Sequence, residues 1–150
     1  MKTLSILVID DDPLQLQYIT ELIDALDTLS CQVHCANSAK EGFSILEEKN
    51  IDCIITDFVM PEIDGLGVLK HVKSYKPTCD VVIVTAKADI ESAVNLMRLG
   101  AYDYLIKPRR TEQLFPILGG IGEKKSIFRE TLLVRRRFKS HPASHTLVLK

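Results

Sequence analysis

Five side chains stand where packing alone gives no reason for them: Asp10, Asp11, Asp57, Thr85 and Lys107. Each follows a short apolar, largely β-branched run. In a parallel sheet the ends of such runs share one edge, where open α/β folds place their chemistry. Clustered carboxylates raise one another's pKa unless a cation joins them. A few hard oxygen ligands on a site open to water suit Mg2+ better than zinc or a closed calcium cage. Lys107 adds a second positive charge and Thr85 a hydroxyl donor. That set suits a phosphoryl group, whose transfer depends on positioning and charge neutralisation. Asp57, a carboxylate at neutral pH, is the candidate nucleophile and would form an aspartyl-phosphate without a general base.

The rest of the chain must bring these residues together. Leu4 to Ile9 reads as a strand buried on both faces. Asp12 as N-cap and Pro13 as first helical residue then open a helix. Its Leu16, Ile19, Leu22, Ile23 and Leu26 recur at helical spacing to about Leu29. Cys31, Val33 and Cys35 alternate with Gln32 and His34 as a second strand. The capping box Ser38-Ala39-Lys40-Glu41 starts a second helix with Phe43, Ile45 and Leu46 inward. Ile51 to Thr56 is the third strand. Pro61 and Asp64-Gly65 make the stretch after Asp57 a loop. A third helix through Leu66, Leu69 and Val72 ends before Pro77, and Val81 to Val84 is a fourth strand. A fourth helix covers Asp89 to Leu99 with Gly100 at its C′ position, and Tyr102 to Ile106 is the fifth strand. This alternation predicts an α/β fold, a parallel sheet with helices on both faces. Strand order is not legible from periodicity.

The pattern weakens beyond Thr111. Glu112 to Ile121 suits a fifth helix with Leu114, Phe115, Leu118 and Ile121 inward. Pro116 lies inside it, however, and Gly119, Gly120 and Gly122 follow. A helix-interior proline costs about 3 kcal/mol and a glycine about 1 kcal/mol. A kinked, frayed or shortened helix is therefore expected. Glu123 to Lys139 is a second helical stretch, with Ile127, Phe128, Leu132, Val134 and Phe138 among many charges. The expected division is a domain over residues 1–122 and a helical linker or tail over 123–150, leading to an effector domain beyond Lys150. Ser140 to Lys150 shows no clear period before Leu147-Val148-Leu149.

Bulk properties narrow the class. A length of 150 residues suits one domain with a short extra element, and a net charge of −1 gives no global field toward nucleic acid or membrane. Cys31, Cys35, Cys53 and Cys79 form no C-x-x-C pair and no metal-ligand spacing. Three fall on expected strands, so buried free thiols and a reducing cytoplasm are expected. The start Met1-Lys2-Thr3-Leu4, running directly into a strand, leads to the expectation of no signal peptide, and no apolar run approaches the roughly 20 residues of a membrane span.

The residues Asp10-Asp11, Asp57-x-x-Met60-Pro61-x-x-Asp64-Gly65, Thr85-Ala86 and Lys107-Pro108 resemble, in order and spacing, the receiver domain of bacterial two-component response regulators. The resemblance covers residues 3–122. It implies a doubly wound (βα)5 flavodoxin-like fold with strand order 2-1-3-4-5. It also implies phosphotransfer to Asp57 from a sensor histidine kinase or a histidine phosphotransfer protein. By position, Asp11 and Asp57 resemble the direct Mg2+ ligands, joined by the backbone carbonyl of Val59, with Asp10 acting through a water. Asp12 leaves that assignment ambiguous by one residue, and its capping position favours Asp10 and Asp11. Thr85 resembles the switch hydroxyl, Lys107 the ammonium that pairs with the phosphoryl oxygens, and Tyr104 the switch aromatic that turns inward. The Lys107-Pro108 peptide is usually cis in the family. The family further implies a surface change around the fourth helix and fifth strand, a homodimer on phosphorylation, transcription regulation as the output, and at most slow self-dephosphorylation.

Plainer readings exist for each residue alone. Asp10 to Asp12 also suit a helix N-terminus, where anions offset the dipole, and Asp57 suits a turn. Asp64 reads as a turn former with Gly65. Tyr102 is expected to share a sheet face with Tyr104 as an ordinary packing residue. His34 and His71 read as surface or strand-edge residues. His141 and His145 flank Pro142, which argues against a helical metal pair. Arg135-Arg136-Arg137 reads as a solvated helix face, so direct nucleic-acid binding by this chain is not expected. Two rival functions remain: a pseudo-receiver that only binds proteins, and a haloacid-dehalogenase-like phosphohydrolase. The second needs another aspartate two residues after its nucleophile, usually before a threonine, and Asp57 has no such partner.

Overall fold

A computed structural model describes residues 3–86, 89–107 and 111–140, with the backbone alone for residue 111 and residues 135–140. The strands are β1 (Leu4–Ile9), β2 (Cys31–Ala36), β3 (Cys53–Asp57), β4 (Asp80–Thr85) and β5 (Asp103–Ile106). The helices are α1 (Pro13–Asp24), α2 (Ala39–Glu48), α3 (Gly65–Tyr75), α4 (Ile90–Arg98) and α5 (Leu114–Ser140), the last preceded by a 3-10 turn at Thr111–Gln113. All pairings are parallel, and the order is β2-β1-β3-β4-β5. This is the doubly wound flavodoxin-like arrangement.

The continuous apolar strands are explained by burial on both sides. Alternate residues feed two cores. Leu7, Ile9, Ile54, Val81 and Ile83 face α2, α3 and Leu96 of α4. Ile6, Val8, Ile55, Val82, Val84 and Leu105 face Ile19 and Ile23 of α1 and Leu114, Leu118 and Ile121 of α5. The helix starts carry the expected caps. Asp12 accepts from the Leu14 N–H at 3.0 Å and Ser38 from the Glu41 N–H at 3.1 Å, while Glu41 reaches back to the Asn37 N–H at 2.8 Å. Gly100 ends α4 at φ 104°, the left-handed conformation a C′ glycine supplies.

Several boundaries differ from the sequence pattern. Helix α1 stops at Asp24 rather than near Leu29: Ala25 and Leu26 tighten onto Glu21 and Ile23 carbonyls at 3.1 and 3.0 Å. Its last turn carries Asp24 and no basic residue, so the helix dipole does not favour extension. Leu26 and Leu29 still pack against the α1/α5 core from the loop. The ladder of β3 with β1 runs from Cys53, rather than Ile51, to Thr56, and Asp57, the last residue of β3, pairs with Val84 of β4.

The largest difference is α5, a single 27-residue helix where a kink or fraying was expected. Pro116 sits in its first turn, where an N–H has no intrahelical acceptor and proline removes nothing. Gly120 and Gly122 admit close approach: a Cβ there would lie 3.1 Å from the Tyr102 hydroxyl and 3.1 Å from Leu29 Cδ1. Tyr102 precedes β5 and packs with the α1/α5 core, whereas Tyr104 packs on the opposite core; the two do not share a face. His71 is not a plain surface residue either. It stacks between Phe43 at 3.9 Å and Tyr75 at 5.8 Å. All four cysteines are free, but only Cys53 and Cys79 are buried; Cys35, on edge strand β2, is exposed. The Lys107-Pro108 peptide, His141, His145 and Leu147 to Leu149 lie outside the described residues, as do the side chains of Arg135 to Arg137.

No helix among the described residues is long and apolar enough to cross a membrane. Gly119 is exposed, and a Cβ there meets nothing within 4 Å. Gly119→Ala is therefore expected to gain helix propensity alone, about 1 kcal/mol or roughly 3 °C in Tm by thermal unfolding. Gly42→Ala runs the other way. Its Cβ would lie 2.5 Å from Ile9 Cδ1, and a lower Tm is expected.

Candidate functional site

Parallel pairing sends the C-terminal ends of β1, β3, β4 and β5 to one edge, and there Asp10, Asp57, Thr85 and Lys107 emerge. Asp10 is buried, with both oxygens engaged. Oδ1 accepts from the Asp12 N–H at 2.9 Å, and Oδ2 meets the Lys107 ammonium at 2.8 Å. The same ammonium lies 3.3 Å from Asp57 Oδ1, which also accepts from the Phe58 N–H at 2.9 Å. Lys107 itself is anchored by its backbone N–H, which donates to the Thr85 carbonyl at 2.8 Å. One cation thus bridges two carboxylates that arrive from different strands.

Asp11 completes the group. One oxygen from each of Asp10, Asp11 and Asp57 lies within 4.8 Å of the others, with Asp11 exposed and Asp57 half-buried. Among the described residues the ligand atoms this group offers are carboxylate oxygens, and Asp11 is exposed, so the residues fit a hard divalent cation. Asp12 is not part of it, because its carboxylate caps α1. The cap contact leaves Asp10 and Asp11 as the acids of this run beside Asp57.

Burial raises the Asp57 pKa, and the nearby Asp10 charge pushes the same way; the Lys107 ammonium, its hydrogen bond and the Phe58 N–H oppose them. The net direction is upward. Asp57 is thus a carboxylate short of positive charge, which suits it to receive a cation.

The loop after Asp57 is shaped by close approach. The Gly65 N–H donates to the Phe58 carbonyl at 2.7 Å, and a Cβ on Gly65 would lie 2.8 Å from the Asp57 carbonyl oxygen. Asp64 caps α3 through the Gly67 N–H at 3.0 Å, which is a role in geometry rather than in ligation. Glu62 adopts φ 69° at the centre of a tight turn in which the Ile63 N–H reaches the Pro61 carbonyl at 2.8 Å. Left-handed φ in a non-glycine residue is strained, and nothing in the sequence pattern flagged it. Val59 presents an exposed side chain beside this turn.

Thr85 is buried at the end of β4, next to Asp57 across the sheet edge. Tyr104 lies one strand further, half-buried against the α2–α4 side. Burial raises its phenol pKa; a hydrogen bond with the Asp89 backbone opposes this, and the Asp89 charge adds to it. Asp89, the N-cap of α4, is therefore joined to Tyr104, a link the sequence pattern did not reveal.

The family model described as "Response regulator receiver domain" matches residues 6–118. The chain belongs to that family. A receiver is a phosphoacceptor rather than a catalyst. The chain is 37% identical over 105 residues to the transcriptional regulatory protein ZraR of Escherichia coli K12, covering 70% of this chain and 23% of that protein. It is 33% identical over 135 residues to the putative response regulator NtrX-like of Rickettsia felis, covering 88% of this chain and 28% of that protein. The crystal structure of a receiver domain protein from Clostridium thermocellum superposes with TM-score 0.75 at 33% identity, over 83% of this chain and 98% of that one. The receiver spans about a quarter of the length of the curated relatives it matches.

Two outcomes test this geometry. Because the folded Asp57 pKa is raised above 3.8, stability is lost as pH rises from 3.8 through the folded value. In chelator at pH 7, Asp57→Asn is therefore expected to unfold a few degrees higher than the wild type, the difference vanishing below about pH 3.8. Equal melting temperatures across that range count against the desolvated carboxylate. Gly65→Ala presses on backbone rather than on a side-chain end, and should cost about 1–3 kcal/mol in urea unfolding.

Proposed function

We propose that this receiver takes a phosphoryl group onto Asp57 from a phosphohistidine of a sensor histidine kinase or a histidine phosphotransfer protein. The supporting observation is the meeting of the Asp10/Asp11/Asp57 oxygens with the Lys107 ammonium at one sheet edge. A carboxylate oxygen of Asp57 attacks phosphorus, the P–N bond breaks, and the imidazole leaves. Asp11 and Asp57 would hold Mg2+ together with the Val59 backbone carbonyl, and Asp10 would serve the ion from outside. Asp10 suits that outer role, since both its oxygens already have partners. When bound, the ion neutralises charge on the transferred group.

Lys107 pairs with one phosphoryl oxygen and the Thr85 hydroxyl donates to another. Drawing Thr85 toward the phosphoryl group opens space that Tyr104 fills from its position against α4. The added charge thereby becomes a surface change on α4 and β5. The output is read as transcription control, by analogy with the regulators it resembles. In this reading residues 1–122 form the receiver and 123–150 a helical linker toward an effector. The protein works in the cytoplasm and forms a homodimer on phosphorylation.

Intact-protein mass spectrometry with acetyl phosphate decides the chemistry. A gain of one phosphoryl group is expected with Mg2+, none with chelator, and none in Asp57→Asn. Thr85→Ala should keep the gain while losing the change in amide exchange around Tyr104. Failure of the wild type with both acetyl phosphate and a phosphohistidine donor sinks the proposal and leaves the protein-binding reading. Without a phosphoryl donor, Mg2+ at a hundred times its dissociation constant should stabilise the wild type by about 3 kcal/mol, and Asp11→Asn should lose most of that.

A further inference from the structure

The sheet edge opposite the phosphoacceptor carries its own charged cluster. Asp52, directly before β3, and Asp80, the first residue of β4, are both buried. Asp52 is fixed within the sheet: its carboxylate accepts from the Ser5 N–H at 2.9 Å, its N–H donates to the Ser5 carbonyl at 2.8 Å, and its carbonyl accepts from the Asp80 N–H at 3.1 Å. Neither acid has a partner of opposite charge on its own strand. The cations come from α5. Lys124 Nζ lies 2.8 and 2.7 Å from the two Asp80 oxygens, Lys125 Nζ 3.7 Å from Asp80, and Arg129 3.6 Å from Asp52. Lys125 also donates to the Thr78 carbonyl, and the Lys124 ammonium lies 5.1 Å from the centre of the Tyr102 ring.

Burial decides what these contacts are worth. Ion pairs between exposed side chains contribute little. A buried carboxylate that loses its cation is expensive, because it has left water without compensation. Asp52 and Asp80 therefore hold the helix more firmly than surface pairs would. The helix has need of it. Beyond Ile121, α5 leaves the apolar core: Ile127, Phe128, Leu132 and Leu133 are exposed. An isolated helical segment of this length is marginal in water and frays.

We propose that Asp52 and Asp80 form a two-point electrostatic clamp on Lys124, Lys125 and Arg129, which keeps α5 helical past the receiver core and fixes the direction in which it leaves. The clamp sits at the starts of the two strands that end in Asp57 and Thr85. It does not depend on Asp57 being phosphorylated.

Hydrogen exchange of the full chain, read by mass spectrometry, tests this from both sides. One variant carries Asp52→Asn and Asp80→Asn; the other carries Lys124→Gln, Lys125→Gln and Arg129→Gln, which keep helix propensity close to that of the wild type. Both are expected to exchange amides of residues 123–134 at least tenfold faster, with residues 68–72 of α3 unchanged. Loosening in only one variant, or in neither, overturns the clamp. If either variant fails to fold, the single substitutions Asp80→Asn and Lys124→Gln replace them: faster exchange of residues 123–134 in both supports the clamp, and exchange unchanged in either overturns it.

Discussion

The structure turns on one charge balance: the Lys107 ammonium, the one cation paired with both Asp10 and Asp57 among the described residues, at 2.8 and 3.3 Å. Two carboxylates at that edge repel, and desolvation makes the repulsion worse. Burial is the largest cause of the raised Asp57 pKa, and the Lys107 ammonium, though it outweighs the Asp10 charge, offsets only part of that burial. The remaining deficit is what makes the edge receptive to a divalent ion and then to a phosphoryl group. Every element that touches the edge serves this balance. The sheet order places β1 beside β3, so that Asp10 and Asp57 are neighbours. Lys107, two strands from Asp57, crosses Thr85 to reach them, anchored on the Thr85 carbonyl.

Much of this was legible in the sequence, because the residues that do the chemistry are the ones that interrupt apolar strands. Asp10, Asp57, Thr85 and Lys107 each end a run that burial on both faces requires to be apolar, so their polarity stands out. Asp11 and Asp12 were harder. Both follow the same strand, and only the cap contact of Asp12 to Leu14 separates their roles. The strained turn at Glu62 left no mark, since its left-handed conformation would ordinarily predict glycine or asparagine. Nor did the Tyr104–Asp89 link, which joins residues on separate elements through backbone.

The tail misled because propensity was counted without position. Pro116 and three glycines would break a helix in its middle, but the proline occupies the first turn, and two of the glycines lie where Tyr102 and Leu29 crowd the helix. Close packing returns what propensity loses. Asp52 and Asp80 were equally obscure as sequence. Asp52 falls inside the expected third strand and Asp80 just before the expected fourth. Their meaning depends on cations more than forty positions away along the chain, a relation no local pattern carries.

A continuous α5 also sets a mechanical scale. From Ile121 to Ser140 a helix rises roughly 28 Å. A tilt of about 10° at its base would carry the far end through about 5 Å, one helical turn's worth of travel. A movement too small to disturb the sheet would therefore arrive at residue 140 as a change of register against whatever the helix touches there.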